Sequence, residues 1–277
     1  MRLATIRTTE GTAAVRVEPG GEAVEIGPPD VGALLALPDW ATRAAAAEGR
    51  RHAPGTLDHA PLVPRPEKII CVGLNYRRHI LEMGRELPEH PTLFVKFPSA
   101  LVGARDEVTL PRASAQVDWE AELAVVIGTA VRHASPDAAH AAIAGYTVLN
   151  DVTARDWQYR TTQWLAGKTF EATTPLGPEL VTADEVPAGA GLEITCSVND
   201  EVVQRDSTAE LVFDPVTLVA YLSRIVTLRP GDVIATGTPG GVGHARKPPR
   251  YLADGDVLVT RVEGVGECRN VCRAEKL

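Results

Sequence analysis

Between residues 117 and 127 the chain reads Val117-Asp118-Trp119-Glu120-Ala121-Glu122-Leu123-Ala124-Val125-Val126-Ile127. Side chains alternate across an extended strand, so Asp118, Glu120 and Glu122 are expected on one face and Trp119, Ala121 and Leu123 on the other. The second half is apolar on both faces, the pattern of a central, covered strand. Neighbouring carboxylates on one face lie roughly 6–7 Å apart. At an effective dielectric of 20 each such pair repels by roughly 2.5 kcal/mol, before any desolvation cost. A fold that buries this strand must offset that charge. Solvent at a sheet edge, Arg or Lys partners, or a divalent cation would each do so.

A second acidic strand end bears on the choice. Asn150-Asp151 lies near the end of the apolar run at residues 146–152, where a sheet commonly gives way to a site. Glu120, Glu122 and Asp151 together would form an all-oxygen set, suited to Mg2+, Mn2+ or Ca2+ rather than zinc. Three carboxylates leave positions for water or a chelating substrate, an arrangement that suits catalysis.

The chain has 277 residues with 36 acidic against 28 basic side chains, a net charge of −8. Without a basic stripe it is a poor partner for nucleic acid. Charge interrupts the start, Met1-Arg2-Leu3-Ala4-Thr5-Ile6-Arg7, and no apolar run approaches the roughly 20 residues that cross a bilayer, so neither a secretory signal nor a membrane partner is expected. Cys71, Cys196, Cys268 and Cys272 are expected as reduced core residues, which together point to the cytoplasm.

Strands are predicted at residues 3–7, 14–18 and 23–26, followed by a helix capped by Asp30 and another over 40–48 capped by Asp39. Pro54, Pro61, Pro64 and Pro66 then predict an extended linker rather than core. The expected division is a small N-terminal α/β domain with its linker over 1–66 and a main domain over 67–277. Main-domain strands are predicted at 68–74, 92–97, 107–110, 121–127, 146–152, 192–198, 232–236 and 256–263, with helices at 78–83, 137–144 and 214–223. Strands dominate and most links are too short for helical crossovers, so the fold class is α+β, predominantly β.

Other polar residues read two ways. His79 and Glu82 are three apart in a helical segment and can share a face, where Glu82 would set the histidine's tautomer. That segment is either a lid carrying a base or an ordinary surface helix. Arg155 and Gln158 follow Asp151 by four and seven residues, and Lys168 follows a polar stretch. They are either a clamp, an amide donor and a point charge for an acidic substrate, or surface residues. The Gly-rich run at 234–243 fits neither nucleotide fingerprint, and Pro248-Pro249 stands where a helix should run. It could still present N–H groups and the Thr238 hydroxyl to an anion.

Taken in order, these segments resemble the fumarylacetoacetate hydrolase family. The resemblance rests on Val72-Gly73-Leu74-Asn75-Tyr76 with His79 and Glu82, Phe94-Val95-Lys96, Asp118-Trp119-Glu120-Ala121-Glu122, Asn150-Asp151 with Arg155 and Gln158, Gly167-Lys168-Thr169-Phe170, and Gly231-Asp232-Val233-Ile234 leading into Thr236-Gly237-Thr238. It implies a mixed β-sheet roll, usually dimeric, with Mg2+ or Mn2+ held by Glu120, Glu122 and Asp151. It implies His79 and Glu82 as a water-activating dyad on a segment that orders over substrate. Lys168, Arg155, Gln158 and Thr238 would meet the substrate or its developing charge. Arg78 departs from the acidic residue expected beside the histidine, and Thr169 and Glu171 replace a more usual Ser and Asp.

The implied activity is hydrolysis of a C–C bond in acylpyruvate-type 2-oxo acids. His79 takes a proton from water, the hydroxide attacks a carbonyl two carbons beyond the 2-oxo group, and the charge left behind falls on the cation and Lys168. An oxaloacetate-type decarboxylase, a 2-hydroxyhepta-2,4-diene-1,7-dioate isomerase, and a non-catalytic protein with a structural cation are the alternatives.

Overall fold

The computed structural model describes residues 1–82, 84, 86–186 and 191–276, apart from the side chains of His79 and Glu82. Its architecture is the strand-dominated α+β class that the pattern implies. The strand Ala121–Ile127 is buried at every residue and lies inside the largest sheet. Ile143–Asn150 runs antiparallel along one edge of it, with Ala121 opposite Asn150, and Val233–Ala235 runs antiparallel along the other. Beyond Val233–Ala235 come the parallel strand Ile69–Gly73 and then Thr92–Lys96.

On the far side, Ile143–Asn150 pairs with Thr174–Thr182, and that strand pairs with Arg2–Thr8. The N-terminal strands therefore continue the same sheet through Gly11–Val17, Ala23–Glu25 and Arg51–His52. A second sheet runs Glu201–Ser207, Glu193–Val198, Val257–Val262, Gly266–Ala274 and Val108–Leu110. Trp119, Ala121, Leu123 and Val148 pack against Ile194, Cys196, Leu258 and Cys268 between the sheets. The helices Pro136–Ala142 and Pro215–Ile225 cover Val125, Ile127 and Ile234 with Ala139, Leu218, Val219 and Leu222. Asp214 starts the second of these by accepting from Thr217 N (2.8 Å), with Pro215 at its first position.

Several local expectations change. The proline-rich passage is extended, but it is also core: Leu62 and Val63 are buried, and Leu62 N–H donates to Leu176 O (3.1 Å). Proline removes donors without preventing the residues between from pairing. Asp30 caps its helix through Ala33 N, whereas Asp39 makes no such bond; its carboxylate is taken by Arg43, and the helix stops at Ala45. Besides short two-residue strands such as Arg51–His52, three longer strands escape the sequence reading. Thr174–Thr182 contains Pro175 and Pro178, Glu201–Ser207 is largely polar, and Gly266–Ala274 turns Cys268, Asn270 and Cys272 inward instead of large aliphatics. All four cysteines are free and buried.

Candidate metal centre and substrate pocket

Asp151 follows the strand Ile143–Asn150 directly, and its N–H donates to Glu120 O (2.8 Å). Asn150 fixes the junction by accepting from Glu120 N (3.0 Å) and donating to Thr260 Oγ1 (2.8 Å). Glu122 projects from the strand itself. One oxygen from each of Glu120, Glu122 and Asp151 lies within 4.8 Å of the others, and all three residues are buried.

Asp118 does not join them. Pairing lapses at Trp119 and Glu120, between the short strand Val117–Asp118 and Ala121–Ile127, so strict alternation fails there. The Asp118 carboxylate instead accepts from Arg155 Nε (2.9 Å), Gly243 N (2.7 Å) and His244 N (2.9 Å). A side chain at Gly243 would run into the carbonyl of Arg250 and crowd Trp119 and Asp118, so only glycine lets the turn Gly243–Ala245 sit this close.

Cationic partners offset much of the buried charge. Lys168 Nζ lies 2.7 Å from both Glu120 and Asp151, Arg155 lies 2.7 Å from Glu120, and Lys96 lies 2.6 Å from Asp151. Burial resists ionisation of Asp151, but Lys168 and Lys96 outweigh it and hold its carboxyl below the usual range. Burial likewise opposes the charge on Lys168, yet Asp151 and Glu120 keep its ammonium up at about 12. Glu122 is different: among the described residues it has no cationic partner, and it accepts from Gly237 N (2.7 Å). Burial first, then Asp151 and Glu120, push its carboxyl well above the ordinary range. Gly237 approaches at φ 104°, in backbone space that favours glycine.

A hard divalent cation fits this donor set. The ligands are oxygens, they converge, and Glu122, which no cationic side chain contacts among the described residues, would be helped to ionise by such an ion. The carboxylates could therefore hold a metal ion.

A cavity of about 200 Å³ opens onto the cluster. Arg155, Gln158, Lys168 and Thr238 all line it, so the substrate-facing residues read from the sequence are brought together with two of the three carboxylates, Glu120 and Glu122. Gln158 accepts from Arg155 (2.9 Å), and Thr238 accepts from Gln204 Nε2 (2.8 Å). Arg155 is 3% exposed, yet its second terminal nitrogen has no hydrogen-bond partner among the described residues. The helix Arg77–Glu82 forms, but the side chains of His79 and Glu82 lie outside the described residues. Arg78 pairs with Glu210 (3.3 Å) and Asp206 (3.6 Å). Asn75 ties the preceding strand end to Phe213 and to Thr236 O.

Sequence reasoning assigned no role to Lys96, although Phe94-Val95-Lys96 puts a lysine at the end of a strand that is otherwise apolar. Trp164 and His244 also line the cavity from loops that carry no periodicity to find them by.

Residues 68–273 match the family described as fumarylacetoacetate (FAA) hydrolase, C-terminal. The chain belongs to this family. The human mitochondrial protein named oxaloacetate tautomerase FAHD2A is 51% identical over 206 residues, 74% of this chain and 66% of that one. The chain thus spans just under two thirds of such a relative's length. Among solved structures, a fumarylacetoacetate hydrolase from Exiguobacterium antarcticum superposes with a TM-score of 0.86 at 36% identity, covering 99% of this chain and all of that one. A 5-carboxymethyl-2-hydroxymuconate delta-isomerase from Mycobacterium smegmatis gives 0.83 at 33%, with the same coverage. Members of the fumarylacetoacetate hydrolase family similar to this chain are thus named as a hydrolase, an isomerase and a tautomerase. Among the described residues, no helix is long and apolar enough to cross a membrane.

Proposed function

We propose that this chain catalyses keto–enol proton transfer on a small 2-oxo diacid of the oxaloacetate class, with Mg2+ or Mn2+ held by Glu120, Glu122 and Asp151. The observation that carries the reading is the unpartnered Arg155 nitrogen, buried in the wall of a small cavity that ends on a carboxylate cluster. A 2-oxo acid offers a carboxylate for the guanidinium and a neighbouring oxygen for a hard cation. Half identity to a protein named as an oxaloacetate tautomerase supports proton transfer over C–C cleavage.

Glu120, Glu122 and Asp151 would hold the cation, which when bound would supply positive charge to offset the negative charge developing on the substrate oxygen. Arg155, fixed through Asp118, Glu120 and Gln158, orients the substrate carboxylate. Lys168 adds a fixed positive charge at the same end of the cavity. Val72, Phe94 and Trp164 wall the cavity and limit water. We assign the proton leaving C3 to His79, with Glu82 three residues on along the same helix to orient it. In acylpyruvate hydrolysis, the same histidine would act on water instead.

The deciding assay compares oxaloacetate, an acylpyruvate and a 2-hydroxy-dienoate, each with Mg2+ or Mn2+ and with EDTA. Proton–deuterium exchange at C3 of oxaloacetate should be accelerated in an EDTA-sensitive way, and His79→Ala should slow it by roughly 10²–10⁴-fold. EDTA-sensitive cleavage of the acylpyruvate without accelerated exchange would return the assignment to hydrolysis. A chain that accelerates none of the three would leave only a structural cation.

A further inference from the structure

A 2-oxo diacid has a second carboxylate to place, and the inner end of the cavity is a poor place for it. Glu120 and Glu122 line that end, and Lys168 is already committed to Glu120 and Asp151. Besides Lys168 and Arg155, the described residues of the cavity wall include His244, whose ring can donate to an anion. Its Nδ1 lies 3.0 Å from the Tyr251 hydroxyl, and its ring leans on Tyr159 with centroids 5.4 Å apart. Nε2 has no hydrogen-bond partner among the described residues. With the Tyr251 hydroxyl donating to Nδ1, the proton sits on Nε2, which then donates to an anion.

The anchoring of this histidine is the second observation. Arg155 Nε and the His244 N–H both end on the fully buried Asp118 carboxylate, each at 2.9 Å. One group therefore ties the Arg155 guanidinium to the backbone of His244, and both residues line the cavity. We infer that His244 is a specificity-determining residue that receives the far carboxylate of a 2-oxo diacid, held in register with Arg155 by Asp118. This rests on the diacid reading above for its substrate, but not on the chemistry that follows binding.

The test uses the full chain with Mg2+ and two ligands in calorimetry: oxalate, which reaches only the inner end, and oxaloacetate. His244→Ala should cut the preference for oxaloacetate over oxalate about tenfold, the loss of one charge-assisted hydrogen bond in partial contact with water. His244→Gln, which keeps an N–H donor, should recover part of that ratio. Asp118→Asn should weaken both ligands, because Arg155 and the turn share it. Exchange kinetics with oxaloacetate and 2-oxobutanoate should follow the same ratio through KM rather than kcat.

A wild-type chain that binds oxaloacetate without accelerating exchange refutes the proton-transfer reading, yet a selective loss in His244→Ala still supports the inference. Equal losses on both ligands, no loss on either, or a Gln variant no better than Ala would overturn it.

Discussion

On the helix Trp40–Ala45, Arg43 meets Asp39 at 2.7 Å with more than half of each side chain exposed; beside the strand Ala121–Ile127, Lys168 meets Asp151 at the same distance with both almost dry. The contact geometry is shared and the energetics are opposite. Water and salt screen the first pair, so it adds little. The second pair has lost its hydration, and attraction within a buried pair seldom exceeds that cost by much. A hydrophobic pair of similar size would stabilise the fold at least as well. Charge in the site is therefore to be explained by what it holds, and charge on the N-terminal helix needs no such account.

Lys168→Met should show the contrast most strongly. It leaves Glu120 and Asp151 buried without their shared ammonium, a loss of roughly 3–5 kcal/mol, read as the shift in a urea unfolding curve with EDTA present. A loss under about 1 kcal/mol would make the site electrostatically ordinary. Glu122→Gln should do the reverse. It puts a neutral amide where burial, Asp151 and Glu120 already disfavour a charged carboxylate, so unfolding without metal should be no easier, while Mg2+ affinity falls by at least about 10-fold. Full metal-dependent turnover in that variant would remove Glu122 from the ligand set.

A smaller effect separates the two regions by pH. His59, in the proline-rich passage, is held below the ordinary histidine range by burial, and its Nε2 is buried without a hydrogen-bond partner among the described residues. The unfolded chain takes up the proton that the folded chain refuses, so stability is fully present above the unfolded value of about 6.5 and declines as pH falls through it. His59→Gln should flatten melting midpoints between pH 7.5 and 5.5; an unchanged slope would place the titration elsewhere. Arg43→Ala, at the bottom of the scale, should leave the midpoint unresolved from wild type.

How much of this was legible depended on whether a residue's task is local. Glu120 and Glu122 follow from strand alternation, and Asp151 from its place at a strand end. The spacing of Arg155 and Gln158 after it left them as either a clamp or surface residues, and only the family resemblance placed them against substrate. Asp118 has the right parity for the acidic face, but the lapse in pairing at Trp119 sends it to Arg155 and the Gly243–Ala245 turn instead. Lys96 acts through a contact 55 residues away, and His244 acts through a turn without periodicity. Lys96 leaves only the faint local mark of a lysine ending an apolar strand, and His244 leaves none. The burial of Leu62 and Val63 was missed for the same kind of reason: proline reports backbone angle and says nothing about what packs on the chain.

The Gly243–Ala245 turn has one position where no side chain can be tolerated and, directly after it, one whose side chain faces the cavity. Mutation at the first costs folding, whereas mutation at the second reshapes the cavity wall. A lineage carrying this scaffold can thus explore new acids by varying a single codon, while the three carboxylates placed to hold a cation stay untouched.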